Sequence, residues 1–235
     1  MTMRVGVILP TFAPTAAEAL DAADEAEESG LDGVFAYDHL WPMGEPGRPA
    51  ISPYPLLGAI AVRTRLVALG TLVARVGLAA DEVLVEEMLS LEALSGGRLV
   101  AAVGTGDAKS AQENRAYGIA VRPAHERRAQ LAAVLTALVS AGVTAWGGGG
   151  SLATNAAIRA SGAALNLWAA PVEAVADAAR DGEVTWAGRL PSHREPAAAL
   201  LAALEAAGAS WACVIWPGAA APVVAAASTA RRGGG

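Results

Sequence analysis

The segment 34-VFAYDHLWP-42 runs an apolar stretch directly into an acid, a histidine and a proline turn. Gly33 to Ala36 reads as a short buried strand, so Asp38 and His39 fall at its C-terminal mouth and outside the strand itself. Barrels of alternating strands and helices keep their chemistry at that end. Taken alone, an Asp-His pair is equally a loop in which Asp38 caps a turn and His39 faces water. The flanking chain bears on which reading holds.

Upstream, 4-RVGVILP-10 reads as a buried strand ended by Pro10. Thr15 is a plausible N-cap for the helix that follows. Ala16, Ala19, Leu20, Ala23 and Ala26 give that helix an apolar stripe, and Gly30 stops it. Strand, helix and strand joined by short turns imply parallel strands and a right-handed crossover. Downstream, residues 43–55 form a Pro- and Gly-rich irregular loop, a lid candidate over the strand-two mouth, before a helix over 54–62. A third strand is expected over 66–74, a helix over 80–93, and a fourth strand in 98-RLVAAVGTGD-107. The pattern continues with a helix over 123–141, strand 143-VTAW-146, a helix over 151–160 and strand 164-ALNLW-168. After 171-PVEAVADAARDG-182 come 183-EVTWAGRL-190, a helix over 194–207, strand 210-SWACVIW-216 and a last helix from Gly218. About eight alternations result, the number that closes a (β/α)8 barrel. An open doubly wound sheet is weakened because GTGD lacks the spaced glycines of a dinucleotide fingerprint.

Composition narrows the function. With 54% hydrophobic and 17% charged residues, the 235-residue chain lies far from disorder and suits a single core. The longest uncharged stretch, 129–158, is broken by Gly142 and by Gly147 to Gly150, so no membrane span is expected. The N-terminal apolar run is too short for a signal peptide, which points to the cytoplasm. A net charge of −6 argues against nucleic acid as a partner. Cys213, the one cysteine, sits in a strand-like run and reads as core; three scattered histidines argue against a metal site, and His125 and His193 read as solvated. Gly147 to Ser151, GGGGS, opens a helix, so its free N–H groups are candidates to hold a phosphate; a flexible connector has the same composition.

The stretches RVGVILP, VFAYDHLWP, 63-RTRLVALGTLV-73, 91-LEALSGGRLVAAVGTGD-107 and 113-ENRAYGI-119, in that order, resemble the bacterial luciferase-like monooxygenase superfamily, in particular its coenzyme F420-dependent oxidoreductase branch. The resemblance implies a single luciferase-like TIM barrel over 1–230 with reduced insertions, a flexible Gly-rich tail over 231–235, and pairing into a homodimer through early helices. It implies hydride transfer between the deazaflavin F420 and a small organic substrate. FMN with oxygen is the alternative cofactor chemistry, and a shortened barrel that binds a ligand or partner without catalysis is the alternative outside enzymology. His39 would handle the proton that accompanies the hydride, since imidazole titrates near neutrality. Asp38 would polarise the ring or orient His39. Leu72, Val73 and Ala74 would form a bulge, often with a non-proline cis peptide, behind the ring. Gly104, Thr105 and Gly106 would let backbone approach it, with Asp107 near the substrate or, alternatively, capping a helix. Gly148, Gly149, Gly150 and Ser151 would meet the cofactor phosphate.

Overall fold

The computed structural model describes residues 2–106, 110–216 and 224. In order, β1 (Arg4–Ile8), α1 (Ala17–Glu28), β2 (Gly33–Ala36), α2 (Pro53–Arg63), β3 (Ala68–Arg75), α3 (Asp81–Ser95) and β4 (Leu99–Gly104) make up the first half. A short α4 (Ala111–Ala116) and a long α5 (Ala124–Ser140) lead to β5 (Thr144–Gly148), α6 (Leu152–Ala160), β6 (Ala164–Trp168), α7 (Val172–Ala179), β7 (Val184–Gly188), α8 (Arg194–Ala206) and β8 (Ala209–Ile215). Every strand is parallel to its neighbour, and β8 pairs with β1 from Arg4↔Trp211 to Ile8↔Ile215, which closes the barrel. The expected (β/α)8 architecture is therefore present.

Two cores result. The outer one lies between sheet and helices, where Ala19, Ala22, Ala23 and Ala26 of α1 let that helix approach the strands closely. The inner one fills the barrel with Phe35, Trp146 and Trp211, whose ring centroids lie 5.3 to 5.7 Å apart. Three large rings fit because the neighbouring inward positions are glycine. A methyl at Gly6 would stand 2.7 Å from the Phe35 ring, and one at Gly70 would stand 2.0 Å from the Val100 carbonyl oxygen. Alternating large and small inward residues is how a barrel packs without a pore. The aromatic plug closes the interior below the strand mouths.

Several local expectations are corrected. Thr15 does not cap α1; Ala16 is its N-cap, without a side-chain bond. β5 runs on through Gly147 and Gly148, so two of the four glycines belong to the strand and not to a turn. α4 was not anticipated, and it carries part of the ENRAYGI stretch. Apart from the buried, helical Val224, the expected helix from Gly218 lies outside the described residues, as do the Gly-rich tail and Asp107. Among the described residues, no helix is long and apolar enough to cross a membrane.

Candidate active site

The C-terminal mouths of β2, β3 and β4 converge on a cavity of about 280 Å³. His39, on the segment after β2, lines it with a side chain 19% exposed. Its Nδ1 lies 3.0 Å from Oε2 of Glu113, a residue of α4 that is 2% exposed. Glu113 Oε1 accepts from the Leu40 backbone N–H and, at 2.8 Å, from Nη2 of Arg75. Arg75 ends β3 and is itself 5% exposed; its Nε donates to the Asp38 carbonyl oxygen at 2.8 Å. Its backbone N–H donates to Asp38 Oδ2, also at 2.8 Å. A buried ion pair survives only when its remaining donors and acceptors are met, and here the Arg75 fork is met on both sides. The acidic group on the His39 ring is thus Glu113, whereas Asp38 turns its carboxylate to the Arg75 backbone and does not orient the imidazole. Burial pushes the Asp38 carboxyl above the usual range, against the opposing Arg75 N–H and charge.

The floor of the cavity is β3 backbone. The register of β3 against β4 slips between Thr71 and Ala74, and Leu72–Val73 is a non-proline cis peptide, so the bulge expected there is present. Leu72 and Val73 line the cavity, while Ala74 is buried in the outer core. Gly104, Thr105 and Gly106 line the adjoining wall, and Gly148 and Gly149 the next. Bare backbone is required at Gly104: a methyl there would stand 2.5 Å from Val73 Cγ2. The carbonyls of Thr105 and Gly106 are tied down by Arg127 Nη1 at 2.7 and 2.8 Å.

The glycine run differs from expectation. The Gly149 N–H donates to the Asn166 carbonyl oxygen at 2.7 Å, and the Gly150 N–H to Asn155 Oδ1 at 2.9 Å. Ser151 caps α6, accepting from the Thr154 N–H. The N–H groups of Gly149 and Gly150 are therefore not free, the Gly150 bond being to a half-buried side chain. Gly150 and Ser151 do not line the cavity.

Tyr37 and Trp168 give the cavity an aromatic side. Phe12 stacks on Tyr37 with centroids 5.5 Å apart, and Tyr37 meets Trp168 edge-on at 6.1 Å. Burial pushes the Tyr37 hydroxyl up to about 12 against the pull of the Arg189 charge, so at neutral pH it remains protonated. His125 and His193 are exposed, as expected, and do not line the cavity, and Cys213 is buried in the inner core. Arg75, Glu113 and Trp168 were missed by reading the sequence. A cation ending the apolar run LVALGTLVAR was the available signal for Arg75, because a charge in that place needs a buried partner.

The luciferase-like monooxygenase family model matches residues 3–231. An F420-dependent glucose-6-phosphate dehydrogenase of Nakamurella multipartita is 39% identical over 97 residues, 41% of this chain and 28% of that protein. Its counterpart from Kineococcus radiotolerans is 34% identical over 121 residues, 51% of this chain and 34% of that protein. The chain thus spans only about a third of the length of the curated relatives it matches. Among solved structures, an F420-dependent secondary alcohol dehydrogenase with an F420–acetone adduct superposes with a TM-score of 0.79 at 13% identity, covering 97% of this chain and 98% of that one. A monooxygenase from Streptomyces bottropensis gives 0.77 at 15% identity, covering 98% and 100%. The F420-dependent tetrahydromethanopterin reductase from Methanopyrus kandleri gives 0.75 at 11% identity, covering 96% and 98%.

Proposed function

The chain belongs to the luciferase-like monooxygenase family, and from that premise we propose that it is an oxidoreductase transferring a hydride between coenzyme F420 and a small organic substrate. The observation that carries this reading is the pairing of a glycine-walled cavity with an imidazole whose Nδ1 is already engaged. The cofactor named for the relatives supports F420 in particular. A planar ring fits the floor, because Gly104 and Gly148 present backbone where a side chain would meet Val73. When bound, F420 supplies a hydride acceptor and donor at C5 of the deazaflavin.

Leu72, Val73, Gly104, Thr105 and Gly106 would back the ring, with Gly148 and Gly149 at its edge. Gly150, Ser151 and the first turn of α6 would face the phosphate, after displacement of the Asn155 side chain. His39 would use Nε2 to take the proton of a substrate hydroxyl as the carbon-bound hydrogen leaves with its electron pair, and would return that proton in the reducing direction. Tyr37 and Trp168 would hold the substrate against the ring. Asp38 would act through Arg75 as buried support, and Asp107 would provide a second acidic group near the substrate. We place the protein in the cytoplasm and propose a homodimer. The groove between α2 and α3, lined by Tyr54, Pro55 and Leu91 and flanked by the exposed Val83 and Leu94, is the proposed contact.

The test is absorption titration of the purified protein with F420 and with FMN, followed by turnover of reduced and oxidised F420. His39→Ala is expected to bind F420 with its fold intact while losing about 10²- to 10⁴-fold in turnover. Undiminished turnover by His39→Ala would overturn the assignment of the base. Binding of FMN without F420 would instead point to a flavin monooxygenase, and binding of neither to a barrel without catalysis.

A further inference from the structure

We propose that Glu113 is the positioning residue that decides which nitrogen of His39 is free to take a proton. The inference rests on reading His39 as the base, and it concerns how that base is prepared.

The two carboxylate oxygens of Glu113 are used differently. Oε1 meets two groups that can only donate, the Leu40 N–H and Arg75 Nη2. Oε2 faces His39 Nδ1 at 3.0 Å and accepts a longer bond from Arg75 Nη1 at 3.3 Å. A carboxylate paired with arginine has only acceptors to offer, so the neutral imidazole opposite it must carry its hydrogen on Nδ1. Nε2 then keeps its lone pair, on a ring that lines the cavity. Glu113 cannot easily turn away. α4 is held against the segment after β2 by Tyr117 packing on Trp41, with centroids 5.5 Å apart, and by Arg75 Nη1 at 3.3 Å from Asn114 Oδ1. Arg75 in turn is held by Asp38, so the acid beside His39 in sequence acts on it through two intermediaries.

Glu113→Gln makes a sharp test because it alters hydrogen bonding without altering volume. The Leu40 N–H and Arg75 Nη2 at the Oε1 position outweigh the single longer Arg75 Nη1 bond at the Oε2 position, which steers the new amide NH2 toward His39. That NH2 can only donate, so Nδ1 must become the acceptor and Nε2 must take the hydrogen. The base would then face the substrate already protonated.

The measurement is nitrogen NMR of the whole protein labelled in its histidine rings, at about pH 9, well above the ~6.5 of free imidazole. His39→Ala identifies the His39 signals, and the exposed His125 and His193 serve as tautomer-averaged references. Wild type is expected to show His39 hydrogenated on Nδ1, and Glu113→Gln on Nε2. Turnover in that variant should fall by about 10⁴-fold, the scale of a wrong-tautomer base. A wild-type His39 that is averaged like the references, or hydrogenated on Nε2, overturns the proposal without any variant having to fold. An unchanged tautomer in Glu113→Gln overturns it as well, since a merely structural role would lower the folded fraction and leave the tautomer alone. If the tautomers are as expected but neither F420 nor FMN is turned over, the positioning stands and the proposed activity falls.

Discussion

Arg75→Met removes one charge from the centre of the site while keeping most of the length of the side chain. The variant loses the Nε bond to the Asp38 carbonyl and the Nη2 bond to Glu113, both at 2.8 Å. Two carboxylates that are 5% and 2% exposed are left without a cation. Removing one partner of a buried pair costs about 3–5 kcal/mol, most of it from the charge left behind. With a urea dependence of roughly 2–3 kcal/mol per molar for a chain of this size, the unfolding midpoint should fall by about 1.5 M. Tryptophan emission reports the transition, since Trp146 and Trp211 lie in the inner core. Adding Glu113→Gln to Arg75→Met should recover more than about 1 kcal/mol, because one of the stranded charges is then gone. The loss should also narrow on acidification. Asp38 already titrates above the usual range through burial, Arg75 holds it down, and without Arg75 it rises further. The folded variant then binds a proton that the unfolded chain releases, which favours folding at the acid end. An Arg75→Met protein within about 1 kcal/mol of wild type at pH 7.5 would refute the buried network.

Asp38→Asn tests the same linkage from the other side. Its folded titration is raised, so the carboxyl's contribution is fully present below about 3.8 and is lost as pH rises through the folded value. The stability of wild type relative to Asp38→Asn should therefore decline between pH 4.5 and pH 8 in urea melts, and an advantage that grows with pH would contradict it. At the glycine run, a side chain at Gly149 would stand 2.9 Å from the Asn166 carbonyl oxygen, whereas the nearest atom to one at Gly150 is 4.0 Å away. Gly149→Val should cost about 1–3 kcal/mol in thermal unfolding and Gly150→Ala little, and equal losses would show that the local packing is different. Sedimentation at micromolar concentration should show a dimer that Leu94→Lys dissociates; a wild-type monomer would remove α2 and α3 as the contact.

What was legible in the sequence was whatever depends on local periodicity. Continuous apolar runs such as RVGVILP and VTAW became buried parallel strands, and the Ala stripe of α1 became its packed face. The place of Asp38 and His39 at a strand mouth was readable for the same reason, since it needs only the end of an apolar run. The site's bulge at Leu72 and Val73 came from resemblance, because the residues themselves read as ordinary strand.

Tertiary structure alone decided who pairs with whom. Glu113 meets His39 across 74 positions of sequence, and it does so because the pairing of β2, β3 and β4 brings α4, which follows β4, over the β2 mouth. The adjacent Asp38, which sequence proximity favoured, points instead to Arg75, because side chains of neighbouring residues leave the backbone in different directions. The glycine run shows the same division. Its composition announced bare backbone, but pairing of β5 with β6 absorbed Gly147 and Gly148 into the sheet and engaged the Gly149 N–H with Asn166. Hydrogen-bond partners are set by strand register and by which mouths converge, and neither is encoded in any short stretch of the chain.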